Sequence, residues 1–173
     1  MPNLPTRVVL FLSSYTPLFL IMALKYGMAH HYFGLSMLVL SVASVGILIF
    51  YLKTAASLGV DRVVVEKISG KDTEAMSYIV TYLIPFLDIR IDEPSTLVSL
   101  LLLFVVVAIV YVHSNLIYIN PTLNILKYHL LEIEIQSGKT IALLSKRGFV
   151  ERGSTIAVVS LGDQILLEVP YVH

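Results

Sequence analysis

The 173-residue chain contains no cysteine, which excludes disulfides, thiolate nucleophiles and thiol metal ligands. It is also poor in charge: Asp, Glu, Lys and Arg make up 14% of the residues, against about a quarter in an average soluble domain. Three apolar stretches, Val8–Leu24, Phe33–Leu52 and Thr96–Val112, contain none of these four residue types. Ionisable groups at mid-bilayer mark proton relays and ion paths, and no such group stands in these stretches. GxGxxG, P-loop, GxSxG and HExxH patterns are all missing, and His30, His31, His113, His129 and His173 have no metal-ligand spacing. The chain is therefore expected to be no enzyme, with no catalytic residue, no metal and no cofactor.

What is present is apolar. Hydrophobic residues make up 57% of the chain and its mean hydropathy is +0.84. A bilayer core of ~30 Å needs about 20 helical residues. The three stretches above meet that length. The first resembles a signal peptide only superficially, because Pro17 splits its apolar run and no small-x-small cleavage site follows. A fourth stretch, Ala75–Leu87, is short and interrupted by Pro85, so it is either a kinked span or a re-entrant helix.

The basic residues decide between these two. With four crossings, one side of the membrane holds Arg7, Lys53, Arg62, Lys67, Lys71, Lys127, Lys139, Lys146, Arg147 and Arg152, and the other only Lys25 and Arg90. Cytoplasmic loops retain Lys and Arg, so this split predicts both termini in the cytoplasm. The expected fold is an α-helical polytopic membrane protein with four transmembrane helices and a small cytoplasmic antiparallel β-sheet or barrel.

The β part comes from two places. Asp61–Ser69 carries three consecutive valines and an isoleucine, a β-branched run that favours strand. After Asn120-Pro121-Thr122 the periodicity changes, and four short strands follow at roughly ten-residue spacing: Tyr128–Ile135, Thr140–Ser145, Thr155–Leu161 and Gln164–Val169. The organisation is thus a first transmembrane hairpin (1–53), a loop with a strand (54–72), a second hairpin (73–119) and a β domain (120–173). The valine strand lies on the correct side to join that domain and complete a cap built from two separated pieces.

Candidate contact residues are Lys139, Lys146, Arg147 and Arg152, which make the sheet basic near one turn and suit anionic lipid or a protein partner. Nucleic acid needs a wider basic field with stacking aromatics, and Phe149 alone does not provide it, so no direct nucleic-acid binding is expected. Glu132 and Glu134 share a strand face, as a carboxylate pair or as ordinary solvent-facing residues. Ser13, Ser14 and Thr16 before Pro17, with Thr81 before Pro85, repair two proline kinks or line a polar path between copies. Small residues Ser41, Ala43, Ser44 and Gly46 in the second stretch allow close helix approach.

YLIPFLDI (Tyr82–Ile89) and NPTLNILKYHLLEIEIQSGK (Asn120–Lys139) resemble the membrane subunit of the Kiwa anti-phage defence system. The resemblance implies a non-enzymatic homo-oligomer at the bacterial inner membrane that registers phage attack and works with a soluble, DNA-binding partner. The reading that follows is a sensor or scaffold contacting membrane lipids and that partner. A pore-forming effector gated by the β cap is the alternative.

Overall fold

The computed structural model describes residues 4–57, 59–70, 93–113, 120–162 and 165–170. Pro17 shapes the first apolar segment. Instead of one rod, Leu4–Ser14 form helix α1 and Thr16–Tyr26 form α2, with Tyr15 in a turn between them. A proline removes the hydrogen bond to the carbonyl four residues back and crowds it, so the helical ladder opens there. The chain then reverses at Gly27 and returns as α3, His31–Ala56. The reversal is tight: a Cβ on Gly34 would lie 2.3 Å from the Gly27 Cα. Of the small residues in α3, Ser41 and Ser44 are buried, Ser44 Oγ standing 2.7 Å from Thr16 Oγ1, whereas Ala43 and Gly46 face outward.

The third described long helix, α4 (Pro94–His113), packs against α1 and α2 through aromatic side chains. Phe11 stacks on Tyr15, Phe104 and Tyr111 with ring centroids 4.9, 5.3 and 5.2 Å away. Arg7 donates from its guanidinium to the Val112 carbonyl, so a cation caps the negative end of the α4 dipole. Three segments, Leu4–Tyr26, His31–Ala56 and Ser95–Val112, are long and apolar enough to cross a membrane. The expected fourth, Ala75–Leu87 with Thr81, lies outside the described residues.

The β residues form a closed barrel. Its strands are β1 (Asp61–Gly70), β2 (His129–Ile135), β3 (Thr140–Ser145), β4 (Thr155–Gly162) and β5 (Ile165–Glu168), in the order β1-β2-β3-β5-β4. The valine strand is shared: Asp61–Val64 pair with β4, and Val65–Gly70 pair with β2. A bulge between Val65 and Lys67 separates these halves and turns Ile68 back toward the barrel interior. This is the strand order of a five-stranded Greek-key barrel of the OB type.

The expectation of a purely antiparallel sheet needs correction, because β3 and β5 pair in parallel. Strand directions cannot alternate all the way around a closed ring of five, so one parallel neighbour is unavoidable. It falls at β3·β5 because residues 146–154 carry the chain across to β1 instead of forming a hairpin.

Two apolar layers hold the barrel. Val65, Ile133, Leu143, Ile156 and Val158 fill its interior. The opposite face of β3, β4 and β5, including Leu144, Val159 and Leu167, packs with Leu10, Leu48, Leu52 and Ala55 of the helices. Burial on both faces explains why TIALLS and TIAVVSL run apolar without alternation.

Candidate interfacial site at the helix–barrel seam

Two sets of polar contacts fasten helices to barrel, and a third lies within the barrel beside the seam. At the start of α1 the Thr6 hydroxyl donates to the Leu161 carbonyl at 2.7 Å and lies 2.6 Å from the Tyr51 hydroxyl of α3. The second set is centred on Asn120, which is nearly fully buried and caps the short helix α5 (Pro121–Ile125) just before β2. Its Oδ1 accepts from the Thr122 and Leu123 amides at 3.0 and 3.3 Å. Its Nδ2 donates to the Leu10 carbonyl at 3.0 Å and to Ser13 Oγ at 2.6 Å. Beside it, the Thr122 hydroxyl donates to the Ser13 carbonyl at 2.5 Å. That carbonyl is the one Pro17 would have bonded, four residues on, had it an N–H.

The third set surrounds a cleft of ≈ 260 Å³ between the last turn of α3 and the barrel. Lys53, Lys146 and Arg147 border it, and Leu52, Ala56 and Leu167 line it. Glu168 is nearly buried there and accepts from both the Arg147 guanidinium and the Ser145 hydroxyl. Ser145 Oγ in turn accepts from the Arg147 amide at 2.8 Å. Lys146 lies over the Tyr128 ring, its Nζ 5.2 Å from the centroid.

The four candidate contact residues therefore separate into two pairs, which corrects the single basic turn expected from sequence. Lys146 and Arg147 follow β3 and border the cleft beside α3, whereas Lys139 precedes β3. With ~3.3 Å per strand residue, Lys139 lies roughly 20 Å from Lys146. Arg152 belongs with Lys139: Gly153 donates to the Val65 carbonyl, and Val65 pairs with Ile135 next to the β2–β3 turn. Both are exposed. Lys53, Tyr128, Ser145 and Glu168 are seam residues that the basic pattern alone missed. The alternation of Glu168 with Leu167 and Val169 was the available signal, because it put a carboxylate one residue from each buried position.

The polar-path candidates also have defined places. Ser13 and Ser14 are fully buried inside the subunit, donating to the Leu10 and Phe11 carbonyls at 2.9 and 2.7 Å. Thr16 meets Ser44 within the hairpin. These three groups face their own subunit, and Thr81 lies outside the described residues. Glu132 and Glu134 are half-buried on the outer face of β2, where they line a polar shelf with Lys67, Ser69 and Thr140.

A family model described as "Anti-phage protein KwaA" matches residues 6–167. The Kiwa protein KwaA of Escherichia coli O55:H7 (strain RM12579 / EPEC) is 28% identical over 90 residues, covering 50% of this chain and 46% of that relative. The aligned part thus spans less than half of the relative's length. No solved structure matches the chain.

Proposed function

The chain belongs to the anti-phage KwaA family, and from that premise we propose that it is the membrane sensor or scaffold subunit of a bacterial defence complex. It acts by binding rather than catalysis, in the inner membrane, as a homo-oligomer with both termini in the cytoplasm. Its barrel passes the signal to a soluble, DNA-binding partner.

The observation that carries the reading is the two-piece barrel joined to the helices by buried polar contacts. One piece leaves α3 and the other follows α4, so a change in helix packing reaches the barrel through both. Grouping of charge supports the orientation. Nine of the ten described Lys and Arg residues lie in the barrel or at the helix ends next to it; Lys25, at the hairpin end, is the tenth. The direction of α4 supports four crossings. Gly70 ends β1 on the barrel, while Leu97 and Leu100 near the start of α4 line a groove with Met22 and Phe33 at the hairpin end. Gly70 and the start of α4 thus stand at opposite ends of the helical layer.

Direct nucleic-acid binding is not part of this reading. Barrels of the OB type bind oligonucleotides across the outer face of β2 and β3. Here Leu130, Ala142 and Leu144 of that face pack with the helices, and the uncovered remainder presents Glu132 and Glu134, which repel phosphate.

The partner surface is assigned to the barrel end that carries Lys139 and Arg152, away from the seam. Co-purification of the tagged chain with its soluble partner tests this. Lys139→Glu with Arg152→Glu should release the partner while membrane insertion is kept; undiminished recovery would remove the assignment. Lys146 and Arg147 are poor choices for that experiment, because reversing Arg147 would set a carboxylate against Glu168.

A further inference from the structure

We propose that the seam cleft holds the headgroup of an anionic phospholipid, with Lys53 and Lys146 as the residues that meet its phosphate. The inference deepens the membrane reading above and rests on α3 crossing the bilayer.

Charge comes first. Arg147 is paired with Glu168, which also takes the Ser145 hydroxyl, so the one carboxylate that the described residues bring to the cleft is satisfied within the protein. Among the described residues, neither Lys53 nor Lys146 meets a carboxylate. The contact with Tyr128 positions the Lys146 ammonium without neutralising it. Two ammonium groups thus face one small space from different parts of the fold.

The rest of the cleft is apolar. Leu52, Ala56, Leu167 and Val169 line it beneath the cations. A free inorganic anion would occupy the rim and leave these walls uncovered. A phosphodiester that carries acyl chains covers both.

Depth agrees. With 1.5 Å per residue, the 26 residues of α3 extend about 39 Å. The hydrocarbon core is ~30 Å thick, so the ends of this helix reach the headgroups. Lys53 stands three residues from the end of α3, at phosphate level. One turn earlier on the same face, Phe50 is 72% exposed and offers an acyl chain its surface. Each Lys beside the anionic leaflet adds to the attraction, so removing both should weaken binding roughly tenfold or more.

The full-length protein, purified in mild detergent, is titrated with phosphatidylglycerol or phosphatidylcholine, and bound lipid is counted by native mass spectrometry. Wild type should prefer phosphatidylglycerol. Lys53→Gln with Lys146→Gln should lower its affinity for that lipid roughly tenfold, whereas Lys139→Gln with Arg152→Gln, the same charge change at the far end, should not. An unaltered affinity in the first variant, or equal losses in both, overturns the site. Competition by millimolar inorganic phosphate as effective as that by lipid would replace the headgroup with a free anion and overturn it too. Alkaline carbonate extraction of the same proteins separates the two levels of inference. Release of wild type from membranes would defeat the spanning reading, while firm insertion without lipid preference defeats only the headgroup site.

Discussion

The Thr122 hydroxyl donates to the Ser13 carbonyl, the acceptor that Pro17 deprives of its helical donor. A defect in the first apolar segment is thus repaired from a residue 109 positions away, seven residues before β2 begins. Leaving a buried acceptor unpaired costs about 1–3 kcal/mol. Thr122→Val should destabilise the protein by about that amount, seen as a lower Tm in detergent, while Thr122→Ser should be close to wild type. Pro17→Ala restores the missing N–H and should suppress most of the Thr122→Val loss. A double-mutant cycle measures this coupling, and simple additivity would show that the two residues do not serve the same carbonyl.

Gly34 makes a separate prediction about the hairpin. Because its Cβ would fall 2.3 Å from the Gly27 Cα, Gly34→Ala must push α2 and α3 apart. Gly46, in the same helix, has nothing within 4 Å of an added Cβ. Gly46→Ala should therefore be neutral or stabilising by about 0.5–1 kcal/mol from helix propensity, and Gly34→Ala destabilising by about 1–3 kcal/mol. Thermal unfolding of the two variants side by side checks the difference in sign.

Much of this architecture is legible in the sequence because the residues that specify it are local. The β-branched run in Asp61–Gly70 and the glycine turns at Gly138 and Gly153, both with positive φ, place strands almost to the residue. The parallel β3·β5 pair is not local, although five strands in a ring require one such pair. Asn120-Pro121-Thr122 reads as a helix interruption, but its bonds to Leu10 and Ser13 depend on tertiary packing that no spacing encodes. The four basic residues do not gather at one turn, for a geometric reason: Lys139 and Lys146 are seven residues apart, which is close in the chain and the full length of a strand in space. For Ser13 and Ser14 the residue types allowed either repair of the proline kink or a polar path between copies; their hydroxyls donate to the Leu10 and Phe11 carbonyls, whereas the Ser13 carbonyl that Pro17 deprives is met by Thr122.

The barrel interior gives the third prediction. Ile133 is fully buried in β2 and packs in the cluster that includes Val65 from the separate loop. Ile133→Ala should cost about 2–5 kcal/mol, the usual range for a large-to-small change in a closed core. The loss should be confined to the barrel. Limited proteolysis should cut residues 136–154 faster in this variant, while carbonate resistance of the helices is retained. Unaltered cleavage would mean that Ile133 does not support the closed ring.

The last prediction concerns orientation, and the absence of native cysteine makes it clean to test. Single cysteines at Ser69 and Ser137 should be shielded from an impermeant thiol reagent in intact cells, and one at His30 should label. Ile91 is the discriminating position, since it is outside only if the segment before it crosses. Labelling at Ser137 with protection at Ile91 would make Ala75–Leu87 re-entrant and move the barrel to the outside. That outcome conflicts with the direction of α4. A re-entrant segment returns the chain to the side where β1 ends, so α4 would start beside the barrel and run away from it. Val112 would then lie at the hairpin end, far from Arg7, whereas the Arg7 guanidinium bonds to the Val112 carbonyl next to the Thr6–Leu161 contact. Labelling at Ile91 is therefore the expected result.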